Sequence, residues 1–163
     1  MSKAIRKAHH PFDQAISARK RHKPPPHEFV LDAIASLSPG TRPMFGCLAV
    51  YVEDKIVLIL RDKPAKPMGQ PDSAADNGVW IATTANHHDS LRREFPHMRS
   101  IQVLGKRVTN WQVLPADAPD FEEAVLRACK LICARDPRIG KIPKRRMKPK
   151  SRSPKGIAAR RPR

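Results

Sequence analysis

Glycine is scarce in this chain, at seven in 163 residues. None of the seven sits in a loop of the spacing that wraps backbone N–H groups around a phosphate, and no G-x-S-x-G elbow presents a nucleophile. H-E-x-x-H and C-x-x-C are missing as well, so zinc-peptidase and thioredoxin-like chemistry are excluded at the level of motif. The three cysteines, Cys47, Cys129 and Cys133, are an odd number and too few for a disulfide framework, which fits a reducing compartment. No stretch reaches the roughly 18 apolar residues a membrane-spanning helix needs. The N-terminus is charged but no apolar h-region follows it, so it does not read as a secretory signal. Its acid-poor composition has something of a transit peptide, but it holds only two serines and the stiff run Pro24-Pro25-Pro26. The expectation is a cytoplasmic, non-enzymatic protein without cofactor or membrane span.

What the chain does have is positive charge, unevenly placed. The formal net charge is +17. Residues 1–27 carry seven Lys/Arg against one acid, and residues 28–136 carry 13 against 14. Residues 137–163 carry 12 Lys/Arg and no acid. The middle is therefore near-neutral and the ends hold the excess. A segment of like charges with few apolar groups buries too little surface to offset its ordering entropy, so both ends are expected to be disordered and to seek polyanions. The expected organisation is a basic arm over 1–26, a folded domain over 27–136 and a basic tail over 137–163.

The middle region shows two periodicities. Phe29, Val30, Ala33, Ile34 and Leu37 form one apolar stripe at helical spacing, ended by Ser38-Pro39-Gly40. Met44 to Val52 and Ile56 to Leu60 read as two strands joined by the polar turn Glu53-Asp54-Lys55. Runs this continuously apolar suggest strands covered on both faces. A long Pro-rich loop over 63–77 follows, then a strand from Gly78 to Thr83. Asn86 is placed to cap a short helix reaching Phe95, with Pro96 ending it. Ile101–Leu104 and Val108–Leu114 read as a second hairpin around Gly105-Lys106. Asp120 and Glu123 have the spacing of a capping box, and Phe121, Val125, Ala128, Cys129 and Ile132 line one face of a last helix. The order α-β-β-β-α-β-β-α, with hairpins and no β-α-β alternation, predicts an α+β fold around a largely antiparallel sheet.

Arg42-Pro43-Met44-Phe45-Gly46 opens the first strand, and a Gly-Lys hairpin leads to Trp111-Gln112-Val113-Leu114-Pro115 before the final helix. In these segments and in the order of its elements, residues 40–135 resemble the TfoX N-terminal domain family, whose members begin with a similar R-x-MFG segment. Asn110-Trp111-Gln112-Val113 stands where that family usually carries a Tyr-rich strand, which leans toward the similar MmcQ/YjbR-like group. The resemblance implies a small α+β domain and a regulatory, DNA-binding role. It also singles out Arg42, Met44, Phe45, Gly46 and Trp111 as structural or ligand-contacting positions. The family takes its name from a two-domain regulator of natural competence; after residue 136 this sequence is expected to carry a basic tail in place of that regulator's second helical domain, which puts competence regulation as such in doubt.

Side-chain chemistry is sparse. His87 and His88 are adjacent, so on a helix they point about 100° apart and do not form an i, i+4 metal pair; a solvated first helical turn is the expectation for His87-His88-Asp89. Cys129 and Cys133 do stand at i, i+4, but no second pair completes a four-ligand site, and packing is the expected role. Arg42 either grips an anion or pairs with a carboxylate at a sheet edge, with Met44 and Phe45 packing beside it. The strongest functional signal is the tail. Lys141, Lys144, Arg145, Arg146, Lys148, Lys150, Arg152, Lys155, Arg160, Arg161 and Arg163 alternate with Pro, Ser and Ala, and no aromatic residue interleaves. Such a segment contacts phosphates without reading bases. The leading expectation is thus a nucleic-acid-associated protein. Two others differ in class: an adaptor whose domain binds a protein partner, and an enzyme using a cleft beside Trp80 or Trp111.

Overall fold

In the computed structural model, residues 24–67, 74–103, 105 and 109–143 are described. The chain enters through a short helix, α1 (Phe29–Ala33), continued by a 3-10 turn over Ala35–Leu37 and stopped at Ser38, whose φ of 50° is left-handed. Val30 and Ile34 of the apolar stripe are fully buried, and Phe29, Ala33 and Leu37 pack against the same core.

Four strands follow, β1 (Gly40–Met44), β2 (Cys47–Val52), β3 (Lys55–Arg61) and β4 (Gly78–Ala82). The expected first strand, Met44 to Val52, is in fact broken at its start. Phe45 and Gly46 both have positive φ (49° and 74°) and form a two-residue hairpin loop that pairs Met44 with Cys47. Positive φ at both loop positions is the geometry whose twist matches flanking antiparallel strands. Residues 40–44 therefore fold back as an additional edge strand, where Pro43 leaves no central ladder bond unmade. Helix α2 (His88–Glu94), the two-residue strand β5 (Arg99–Ser100), β6 (Trp111–Pro115) and α3 (Phe121–Cys133) complete the domain. All neighbouring strands are antiparallel, in the order β1-β2-β3-β4-β6-β5. The fold is α+β, with one strand more than the sequence pattern suggests.

Strand alternation divides the sheet into two faces. Val50, Leu58, Leu60, Val79, Ile81 and Leu114 pack with Val30 of α1, Leu91 of α2 and Val125 of α3 in the larger apolar cluster. Trp80, Ala82 and Val113 point the other way and join Ala49, Ile56, Ile59 and Ile101 in a second cluster that contains no helix residue. A register shift between Val50 and Tyr51 leaves Val57 without a partner between Leu58 and Ile56, so that Val57 and Leu58 both serve the helix face. No helix among the described residues is long and apolar enough to cross a membrane.

Several local expectations change. Neither Asp120 nor Asn86 caps a helix with its side chain. The Asp120 carboxylate instead accepts a hydrogen bond from His97 Nδ1 at 2.7 Å, and Thr84 and His87 occupy the N-cap positions near Asn86. Where a second hairpin was expected, Arg99–Ser100 of β5 pairs with β6 and Ile101 is buried beyond β5 rather than in a strand; Leu104, Lys106 and Val108 of that expected hairpin lie outside the described residues.

The domain also runs past residue 136. Ile139 is buried, and Lys141 exchanges two backbone hydrogen bonds of 2.9 Å with Ile56 beyond the end of β4. Arg138 donates to Asp136 at 2.7 Å and to Glu94 at 2.9 Å. The expected boundary at 136 thus falls too early, because a short apolar and ion-paired segment completes the sheet before the basic tail.

Candidate functional site

The face of the sheet without helices holds an open groove of about 970 Å³. Pockets that enclose small ligands run to roughly 300–1,000 Å³, so the space is of ligand size. A second hollow, between Phe95, Met98 and Phe121, is about 10 Å³ and has room for a water at most.

Five strands build the groove floor. Met44 ends β1, Cys47 begins β2, Ile59 lies on β3, Trp80 on β4 and Trp111 on β6. Their side chains share one face because the antiparallel register sets Ile59 opposite Trp80 and Trp80 opposite Val113. The two tryptophan rings lie 6.4 Å apart, tilted by 57°. Trp80 is nearly buried and its Nε1 donates to the Asp76 carbonyl at 2.7 Å, while Trp111 is half-buried.

Charge enters from the end of β3. Arg61 lies with its guanidinium 5.4 Å from the Trp80 ring centroid, a cation–π geometry, and Nη1 donates to Cys47 Sγ at 3.5 Å. Lys63 and Lys66 follow on the loop that walls the groove. Asn77 fixes this wall: its Oδ1 accepts from Lys63 N at 2.9 Å and its Nδ2 donates to Lys63 O at 2.7 Å. The opposite wall, Ala75, Gln102 and Val103, is tied down through Asp76. Among the described lining residues every charged side chain is cationic.

The hairpin tip overhangs this space. Phe45 is 90% exposed and lines the groove. A Cβ built on Gly46 would stand 3.3 Å from Lys63 Cε and 3.5 Å from its Nζ, so the ammonium group rests beside the tip.

Of the positions singled out from the sequence, Met44, Phe45 and Trp111 meet in the groove, with Gly46 supplying the turn. Phe45 was expected to pack and does not, because the left-handed turn directs it to solvent. Arg42 is exposed at the edge strand with its Cζ 5.4 Å from the Tyr51 ring centroid, and no carboxylate pairs with it among the described residues. Lys141 is held by its backbone to β3, as part of the folded domain. Lys144, Arg145, Arg146, Lys148, Lys150, Arg152, Lys155, Arg160, Arg161 and Arg163 lie outside the described residues. A cleft beside Trp80 or Trp111 was one of the readings of the sequence, and the groove has both in its floor. Arg61, Lys63, Lys66 and Asp76 went unnoticed; the signal available was the long Pro-rich loop they border.

His88 is buried, not solvated as its place in a first helical turn suggested. Burial, reinforced by Arg92, lowers its pKa from the usual histidine value. Cys129 is buried in the core and its thiol is pushed up to about 12, chiefly by that burial, while Cys133 is exposed. No group of three or more His, Cys, Asp or Glu side chains is arranged to hold a metal among the described residues. No protein-family model, curated protein or solved structure matches the chain.

Proposed function

We propose that this protein is a non-enzymatic, cytoplasmic nucleic-acid-binding protein of regulatory type, with a domain like the TfoX N-terminal domain. The basic ends supply most of the affinity and the groove adds a contact of the same sign. The observation that carries this reading is the agreement of charge between two separate parts of the chain. The groove's described charged lining is Arg61, Lys63 and Lys66, and residues 137–163 hold 12 Lys/Arg and no acid. Condensed counterions released from a phosphate backbone drive such binding without sequence reading. The likeness over residues 40–135 to a family with a regulatory name fits this role.

The test compares nucleic-acid binding by the full chain and by residues 24–143 at low salt. The full chain is expected to bind strongly and the fragment weakly. No binding by the full chain would remove the nucleic-acid reading and favour a protein partner for the domain.

A further inference from the structure

We infer that the groove takes an unpaired base of a single-stranded nucleic acid, with the adjoining phosphate on Lys63 and Lys66. This rests on the nucleic-acid reading above and narrows it from polyanions in general to single strands.

Charge selects the kind of occupant. The two ends of this chain are both strongly cationic, and the groove's described charged lining is cationic too, so neither end is attracted to it. A second copy would bring the same cations to the same place. An anion is the complementary partner.

The floor selects among anions. Met44 and Trp111, backed by the buried Ile59 and Trp80, offer an apolar, aromatic surface, which a simple phosphate or a sulfated polymer would leave wet. A duplex keeps its bases stacked inside and presents phosphates and groove edges. An unstacked base brings a planar apolar face for an aromatic side chain and carries its phosphate one linkage away.

The hairpin tip is the second observation. Phe45 sits at φ 49°, in the left-handed region that a bulky side chain rarely adopts, and leaves its ring 90% exposed. Glycine or asparagine would satisfy the same turn at lower cost. Strained backbone is concentrated at functional positions, ligand clamps among them, and of the non-glycine residues with positive φ this one carries an exposed aromatic ring that lines the groove. The Lys63 ammonium lies beside that tip. A ring for the base and a cation for its phosphate therefore stand side by side, over a groove wide enough to admit them.

The experiment titrates the full-length protein with a labelled thymidine single strand of about 12 nucleotides, within the span such sites cover, and with a duplex of equal length. Single strand is expected to quench tryptophan emission and duplex is not. Phe45→Ala removes an exposed ring and leaves the core intact. It is expected to weaken single-strand binding by about 5- to 150-fold, the loss of one stacked base, with duplex binding unchanged. Lys63→Gln is expected to reduce the salt slope for single strands by about 0.7. Wild-type single-strand affinity in Phe45→Ala, or equal quenching by both probes, overturns this inference and leaves binding by the basic ends standing. Failure to bind either probe at low salt overturns both readings.

Discussion

The fully buried carboxylate of Asp76 accepts a hydrogen bond from Arg99 Nη1 at 2.9 Å. Its other oxygen accepts the backbone N–H groups of Gln102 and Val103 at 2.7 and 2.8 Å. Arg99 also donates to the Ala75 carbonyl. One side chain thus joins the short strand β5, the segment after it and the turn before β4. Because Ala75, Gln102 and Val103 wall the groove, Asp76 shapes the site without facing it. Asp76→Ala is expected to cost about 3–5 kcal/mol, the loss typical when one partner of a buried ion pair is removed, since it strips Arg99 and two backbone N–H groups of their shared acceptor. Asp76→Asn, which keeps one of the two acceptor oxygens, should cost less. Urea unfolding of the variants measures both.

The two tryptophans should separate in their effects. Trp80 is 6% exposed and hydrogen-bonded, so Trp80→Ala is expected to cost about 3–5 kcal/mol. Trp111 is half-buried in the groove floor, and its truncation should cost about 1–3 kcal/mol. Thermal unfolding of the single variants would rank them; equal losses would show that Trp111 belongs to the core rather than to the groove.

Two fragments test where the domain ends. Residues 24–143 should unfold cooperatively near the temperature of the full chain. Residues 27–136 lack Ile139, whose burial contributes about 1.5–3 kcal/mol, and lose the Arg138 pairs with Asp136 and Glu94. The shorter fragment should therefore melt several degrees lower. Identical melting would place the boundary back at 136.

Titrating groups set limits on both sides of neutrality. The Arg138 guanidinium hydrogen-bonded to Asp136 holds that carboxyl below the usual carboxylate range. The stability this contributes is present above the usual carboxylate range and is lost as pH falls through the lowered value. His88, held neutral by burial, works in the same direction, since it must take up charge on acidification. Asp136→Asn should lower stability at neutral pH and flatten the acid limb. On the alkaline side Cys129, raised from 9.0 to about 12, keeps the folded state favoured below the ordinary thiol range; the contribution is lost as pH rises through the folded value. At mildly alkaline pH a thiol reagent should label the exposed Cys133 promptly and Cys129 only on unfolding.

The C-terminal charge predicts a strong salt dependence. If about 6–10 phosphate contacts form, affinity of the full chain for nucleic acid should fall about 10³–10⁵-fold between 50 and 200 mM salt. Removing residues 144–163 should abolish most of that slope, leaving a weaker remainder from the N-terminal arm. Anisotropy at several salt concentrations checks this. An unchanged slope after truncation would move the main electrostatic contact onto the domain.

The α+β class, the antiparallel pairing and the charge division were legible in the sequence because each is a local property. The stripe Val30, Ile34, Leu37 and the run Ile56–Leu60 carry their periodicity in a few residues, and a tail without acids is basic whatever it packs against. Tertiary structure alone decided the rest. The fold-back at Phe45-Gly46 is hidden in a continuously apolar stretch, where only the backbone angles reveal a turn. Which sheet face the helices cover does not follow from strands apolar on both sides. It was set by where Leu91 and Val125 dock, leaving Trp80 and Trp111 over the groove. Asp120 has the spacing of a cap, but His97, 23 residues away in sequence, takes its carboxylate. Arg138 to Lys141 read as tail until Glu94 and Ile56 supply partners. Sequence patterns record what each residue prefers next to its neighbours; the partners that override those preferences lie far along the chain and meet only when the sheet closes.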